Sequence, residues 1–388
     1  MLTKAPKKIC VVITARPSYS RVRSLLKAIK FSNSLELQLV LAGPSVLEKY
    51  GDITDFVKKD GFDISSKVYS VVDGENKMAM AKTTGLGIIE LTNVFNILKP
   101  NIVITIADRF ETISTAISAS YQNIPLGHLQ GGEVTGNIDE KVRHAITKLS
   151  DLHFVSSEDA KQRVLRLGEN PKFVFNTGCP SIDIANKIHN DKRALFNPYK
   201  KYGGVGSLPD LENGYVIAMQ HPVTNEYEKA RSQVKKTLNA IHKLDIPCLW
   251  FWPNIDAGSD GTAAGIRHFR EMNDLSHFHF FKNMDPEDFL NLVKNSKCLV
   301  GNSSVGIREC SFLGVPVVNI GSRQSGRARG INVIDTSYDE IQIRRAIQNQ
   351  LSKGKYKQDF TYGKANAGKK IANILEIVDP SSHKRIEY

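Results

Sequence analysis

At 388 residues, with 41% hydrophobic and 24% charged side chains, the chain exceeds one ordinary core and is expected to form two domains. Its five scattered cysteines lack a CxxC pair and its ten histidines lack ligand spacing, which argues against a disulfide frame, a zinc site or any other metal motif. The net charge of +12 is spread over lysine pairs such as Lys58-Lys59 and Lys200-Lys201 without a basic-aromatic stripe, so no nucleic-acid partner is expected.

The first apolar run, ICVVIT, meets Arg16 too soon for a signal peptide, and no stretch approaches the ~18 apolar residues that span a membrane. A cytoplasmic protein without a membrane partner is the expectation. ICVVIT, LQLVLAG, NIVITIA, IPLGHLQ, LHFVSS and KFVFNTG read as short strands buried on both faces. Helical patterns lie between them over 20–30, 80–98, 111–121, 139–150 and 157–167. Such alternation predicts a parallel sheet with helices on both sides. From 190 to 213 the pattern breaks into a loop-like run containing Pro198, Gly203, Gly204, Gly206 and Pro209. YVIAMQ, PCLWFWPN, HFHFFKN, CLVGNSS and PVVNIG then predict a second open parallel sheet, and 362–378 a final helix. The expected division is a Rossmann-like domain over 1–188, a connector over 189–213, a second Rossmann-like domain over 214–360, and a segment over 361–388 whose helix returns to the first domain. The fold class is α/β, with two doubly wound parallel sheets whose strand ends face one cleft.

Each strand end carries candidate chemistry. Arg16, in TARPSYSRV, follows the first strand, and Ser20 can cap a helix or donate to a phosphate. In ADRFE, Asp108 emerges from a buried strand, and Arg109 can pair with it or with a phosphate. A plain helix cap would have the same pattern. HLQGGEVTGNIDEKVRHAITK holds His128, Glu133, Asp139, Glu140, Arg143 and His144. Gly131 and Gly132 there allow close backbone approach to a ligand, and Arg143 can orient a carboxylate. Crowded acids raise at least one pKa, which suits general acid-base work, although ordinary salt bridges at a solvated helix start would look alike. His221 in QHPVTNE stands where a diphosphate contact is possible, as does a structural histidine. Asn254 in WPNIDAGSD is placed for a ligand hydrogen bond. GNSSVGIRE is the strongest signal: Ser303, Ser304 and a helix start converge on one anion site, with Glu309 able to accept from ribose hydroxyls. GSRQSGR adds Arg323 and Arg327. GxGxxG and the GxxxxGK[ST] loop are absent, which counts against a dinucleotide enzyme or a P-loop ATPase.

In their order and approximate spacing, ARPSYS, DRFE, GGEVTGNIDE, RHAITK, QHPVT, PNIDAG, GNSSVGIRE and GSRQSGR resemble the hydrolysing UDP-N-acetylglucosamine 2-epimerases, from about Ile9 to Leu375. The resemblance implies a GT-B type pair of Rossmann-like domains, no cofactor, no metal, and a homodimer or higher homo-oligomer. It implies loss of UDP from UDP-N-acetylglucosamine (UDP-GlcNAc), then addition of water to release N-acetylmannosamine for sialic acid synthesis. It assigns UDP binding to Arg16, Ser20, Arg109, His221, Asn254, Ser303, Ser304, Glu309 and Arg323. Asp108 and Asp139 would be catalytic carboxylates, with His128 nearby and His221 at the diphosphate.

The chain departs from the family pattern in two respects. Gln130 stands where animal members carry a catalytic glutamate, so Glu133 or another acid takes that role, or the sugar differs. Bacterial relatives acting on a UDP-diacetamido-trideoxyhexose, for legionaminic acid, also vary here. Asp260 and Asn283 replace the lysine and histidine with which animal members bind a feedback inhibitor, so CMP-sialic acid is not expected to inhibit. A non-hydrolysing epimerase, a GT-B glycosyltransferase and a non-catalytic nucleotide-sugar sensor are the competing readings.

Overall fold

The computed structural model describes residues 5–48, 51–74, 77–135, 138–192, 195–253, 258–380 and 384–387. The chain forms two compact units, one of residues 1–133, 138–183 and 362–388, the other of 134–137 and 184–361.

The first unit runs β1 (Lys7–Ile13), α1 (Arg16–Lys30), β2 (Leu35–Ala42), α2 (Thr54–Lys59), β3 (Ser66–Val68), α3 (Lys77–Leu98), β4 (Ile102–Ile106) and α4 (Ile113–Tyr121). It continues through β5 (Leu126–Leu129), α5 (Ile138–Leu149), β6 (Leu152–Val155), α6 (Glu158–Arg166) and β7 (Val174–Asn176) into the start of α7 (Ser181–Asn190), whose residues from Ile184 on belong to the second unit. Seven parallel strands lie in the order β3-β2-β1-β4-β5-β6-β7. Alternation of side chains along β1 builds two cores at once. Ile9, Val11 and Ile13 pack with Val22, Leu25, Leu26 and Ile29, the inward stripe of α1, while Cys10 and Val12 meet Leu91 and Phe95 of α3 on the other face. Strands buried on both sides need apolar residues at every position, which is why ICVVI and IVITI are continuous runs.

The second unit contains α8 (Pro198–Tyr202), β8 (Val205–Gly206), β9 (Val216–Met219), α9 (Ala230–His242), β10 (Cys248–Phe251), α10 (Ser259–Met272) and β11 (Phe278–Phe281). It goes on with α11 (Pro286–Asn295), β12 (Cys298–Gly301), α12 (Ser304–Ile307), α13 (Glu309–Leu313), β13 (Val317–Ile320), β14 (Val333–Thr336) and α14 (Glu340–Lys353). The strand order is β14-β13-β12-β9-β10-β11-β8, parallel except where β8 runs against β11. The run read as a connector therefore supplies α8 and an edge strand of this sheet. Its glycines hid the strand, and His279 of β11 helps hold it there through Gly203 O at 2.8 Å and Ser207 O at 2.7 Å.

The chain then returns to the first unit as α15 (Ala367–Ile377), whose Ile371, Ala372 and Leu375 join the β1–α1 core. The Asp183 carboxylate accepts from the first amides of that helix, Ala367 and Gly368, at 2.9 Å each. All five cysteines are buried, and no helix among the described residues is long and apolar enough to cross a membrane.

Strand order reverses between β1 and β4 in the first unit and between β9 and β12 in the second. At such a reversal the outgoing connections diverge to opposite faces and leave a crevice at the carboxyl ends of the strands.

Candidate functional site

In the first unit the motif residues gather beside the β1–β4 reversal. Arg16 is the first residue of α1, with Pro17 behind it supplying the backbone angle that a first helical turn needs. Its guanidinium lies over the Phe56 ring of α2, 4.7 Å from the centroid. The helix therefore starts four residues before the expected point. Ser20 sits within it, donating to Pro17 O at 3.0 Å, and is not its cap.

Asp108 follows β4 through Ala107, held at a positive φ of 63°. Its carboxylate is buried and forms an ion pair with Arg143 of α5, itself only 1% exposed. Arg143 also donates to Glu133 O at 2.9 Å and stands 3.9 Å from Glu140 Oε2. One guanidinium thus ties the ADRFE loop, the GGE loop and α5 together. Planar and permanently charged, it suits that task better than a lysine. Arg109 pairs with Glu111, Nε to Oε1 at 2.8 Å, rather than with Asp108. Asp139 and Glu140 lie in the first turn of α5, and Glu140 accepts from His144 at 3.0 Å.

His128 is enclosed. Nε2 donates to Ala107 O at 2.8 Å, which leaves Nδ1 to meet Thr147 Oγ1 at 3.2 Å. Burial pushes its pKa down to about 3, so the ring is neutral and fixes the residue before Asp108. This dictates acid sensitivity. The unfolded chain takes up a proton below about pH 6.5 that the folded ring refuses until about pH 3, so stability falls as pH falls through that window, by up to roughly 5 kcal/mol. Burial lowers the His153 pKa too, in the same direction. Thermal unfolding at pH 7.5 and pH 5 is the measurement, and His128→Asn should flatten the slope. An unchanged slope in that variant would refute the assignment.

The two glycines after Gln130 admit the protein's own atoms. A Cβ on Gly132, at a φ of 74°, would lie 2.2 Å from Ala160 O of α6, and one on Gly131 would meet His128 Nδ1 at 2.9 Å. Close approach is real there, to the α6 backbone and to the His128 imidazole. Gln130 also adopts a positive φ, 65°. Its Nε2 donates to Cys179 Sγ at 3.1 Å and its Oε1 accepts from Arg21 at 3.4 Å. Nothing local in the sequence pointed to Arg21 or Cys179.

In the second unit the motifs meet at the β9–β12 reversal, on one amide. Asn302 Oδ1 accepts from His221 N at 2.7 Å and Nδ2 donates to His221 O at 2.8 Å. The carbonyl of Asn302 accepts from Arg323 Nη1 at 3.2 Å and Gln324 Nε2 at 2.9 Å. QHPVTNE, GNSS and GSRQSGR are therefore latched to one another. A buried Asn after a glycine-ended strand was the available signal for this residue. Ser303 caps α12 with a 3.4 Å bond from Val305 N. The helix expected to run on through Glu309 is instead two short ones divided at Arg308. Ser304 opens the first and the buried Glu309 the second. Ser322 donates to Glu226 at 2.8 Å, and Arg327 Nε donates to Val134 O at 3.2 Å. Asn254 lies outside the described residues. Among the described residues no group of three His, Cys, Asp or Glu side chains is arranged to hold a metal ion.

A family model described as UDP-N-acetylglucosamine 2-epimerase matches residues 27–376. The chain is 31% identical over 372 residues to a Legionella pneumophila UDP-N,N'-diacetylbacillosamine 2-epimerase (hydrolyzing), covering 96% of each chain. It is 29% identical over 373 residues to a Neisseria meningitidis UDP-N-acetylglucosamine 2-epimerase, covering 96% of this chain and 95% of that one. In fold it is similar to the crystal structure of a UDP-GlcNAc 2-epimerase from N. meningitidis bound to UDP-GlcNAc, with a TM-score of 0.78 and 17% identity, over 95% of this chain and 99% of that one.

Proposed function

The chain belongs to the UDP-N-acetylglucosamine 2-epimerase family, as a UDP-sugar 2-epimerase of the hydrolysing branch, and we propose that it converts UDP-GlcNAc and water into N-acetylmannosamine and UDP. The observation that carries the reading is Asp108, a carboxylate set on a buried guanidinium at the β1–β4 reversal. In this reading a carboxylate takes the proton from sugar carbon 2 as the bond from carbon 1 to the diphosphate oxygen breaks. The electron pair of the C–H bond becomes the C1–C2 double bond, and UDP carries away the negative charge. Water then adds its hydroxyl to carbon 1 and a proton to carbon 2 from the opposite face, which inverts that centre.

The proton at carbon 2 is not beside a carbonyl, so stabilising the leaving diphosphate must supply much of the barrier reduction. His221, Ser303, Ser304 and Arg323 are assigned to that task, with Arg16, Ser20 and Arg109 as further UDP contacts, Glu309 on the ribose and Asn254 as an additional ligand contact. Asp108 and Asp139 are assigned as catalytic carboxylates. Glu133 is the acid nearest in sequence to Gln130, whose amide cannot exchange a proton. His128 is assigned to positioning, because both ring nitrogens are engaged inside the first unit.

Arg323→Ala is expected to weaken UDP binding about tenfold while the unfolding midpoint stays close to the parent's, because the lost contact is charge-assisted and half-buried. Titration calorimetry with UDP measures it, and unchanged affinity removes Arg323 from the nucleotide site. The whole reading is tested by product analysis in deuterated water. Free N-acetylmannosamine carrying deuterium at carbon 2, with UDP, is the expected outcome; an intact nucleotide sugar or a need for an acceptor would sink it. A second reading, with UDP-N,N'-diacetylbacillosamine as the sugar, is favoured by the Legionella relative and by Gln130. Comparing kcat/KM for the two nucleotides decides between them.

A further inference from the structure

Residues 384–387 lie along the first unit. The Glu387 amide donates to Gly168 O at 2.9 Å, and Asn170 Nδ2 donates to Glu387 Oε1 at 2.9 Å. Lys384 turns inward. Its ammonium has three donors, and three acceptors receive them: Thr147 O at 3.2 Å, Ser150 O at 2.6 Å and Glu169 Oε2 at 2.5 Å. The first two are carbonyls at the C-terminal end of α5. A helix leaves its last carbonyls without intrahelical donors there, and its dipole favours a cation.

Glu169 is buried and also receives Lys148 Nζ at 2.7 Å and His153 Nε2 at 3.0 Å. Burial alone would raise its pKa, but the hydrogen bonds from His153, Lys148 and Lys384 outweigh that and hold it down to about 2. Burial lowers the pKa of Lys384, and the Glu169 carboxylate opposes that shift. The Glu169 carboxylate is the counter-charge that holds the buried Lys384 ammonium in place.

The helix so gripped carries the site. The hydroxyl of Thr147 donates to Arg143 O at 3.0 Å and meets His128 Nδ1 at 3.2 Å. Arg143 holds Asp108, and Asp139 is in the first turn. We propose that Lys384 is a positioning residue, and that residues 384–387 form a strap that fixes α5 so that Arg143 presents Asp108 in its working orientation. The proposal rests on the assignment of Asp108 and Asp139 to the sugar chemistry. Thr147 relays the hold: its carbonyl is taken by the strap and its hydroxyl by the machinery.

The test uses the full chain, the variants Lys384→Met and Lys384→Arg, and a chain ending at Pro380. Lys384→Met and the shortened chain should lower kcat roughly tenfold, with KM and UDP affinity within about twofold of the parent, since a small misplacement of a catalytic group costs rate rather than binding. Amide hydrogen exchange in α5 should quicken while that in α4 does not, and Lys384→Arg should recover most of kcat. Unchanged kcat and α5 exchange would overturn the proposal. So would a general loss, in which UDP affinity and exchange throughout the unit change together, or the absence of any rescue by arginine. If the parent turns over neither nucleotide sugar, the functional reading fails by itself. Exchange in α5, read without substrate, still decides whether the strap holds the helix.

Discussion

Replacing Asp108 with asparagine is expected to lower kcat about 10³-fold, the scale on which a positioned general base acts, while UDP affinity stays near the parent's. The structure makes the substitution a clean one. Asparagine keeps an oxygen toward the Arg143 guanidinium, and Arg143 keeps its 2.9 Å bond to Glu133 O. The loops it ties should stay in place. Asp108→Leu is the contrasting variant: it removes the oxygen acceptor as well as the charge facing the buried Arg143 guanidinium and should cost about 3–5 kcal/mol of stability as well as activity. Single-turnover rates, UDP titration and thermal unfolding of the two variants separate chemistry from scaffolding. Near-normal turnover by Asp108→Asn would take Asp108 off the catalytic list and move attention to Asp139 and Glu133.

The sequence carried the sheets well because strands covered on both faces have little freedom in composition. ICVVI, IVITI and CLVG are apolar at nearly every position, and each is a strand. Short edge elements left weaker traces. Val205–Gly206 is a two-residue strand inside a glycine-rich run, and Ser66–Val68 has one buried residue in three. The candidate site was readable only as a set of strand ends, since buried runs that stop before Asp108, His221 and Asn302 mark where side chains emerge. Which of those side chains meet was not. Arg109 has Asp108 beside it in sequence yet bonds Glu111, whereas Arg143, 35 positions on, takes Asp108 (143 − 108). Adjacent residues after a strand point in different directions, and only the return of α5 across the sheet brings a buried cation to that carboxylate. The break at Arg308 was likewise hidden, because GNSSVGIRECSFL has an unbroken helical pattern.

Gly301→Ala should damage the nucleotide end, as Asp108→Asn damages the sugar end. Gly301 pairs with Met219 across the reversal between β12 and β9, at a φ of 136° that disfavours any side chain. A Cβ there would lie 2.1 Å from Met219 O and 2.6 Å from its carbonyl carbon. Both atoms are backbone inside a sheet, so no rotamer change relieves the clash. Strain of about 1–3 kcal/mol for the dihedral and a similar overpacking cost follow, unless β12 moves away from β9. Movement of β12 carries Asn302 with it, and Asn302 is what fixes the His221 backbone and receives Arg323 and Gln324. The expected result is a loss of UDP affinity of about 100-fold, or a second unit that no longer folds. Asn302→Ala distinguishes the two. It removes the amide latch without any clash, so it should fold and still bind UDP at least tenfold more weakly, on the scale of two buried hydrogen bonds. If Gly301→Ala and Asn302→Ala both bind UDP as the parent does, the crevice beside β9 and β12 is not where the diphosphate sits.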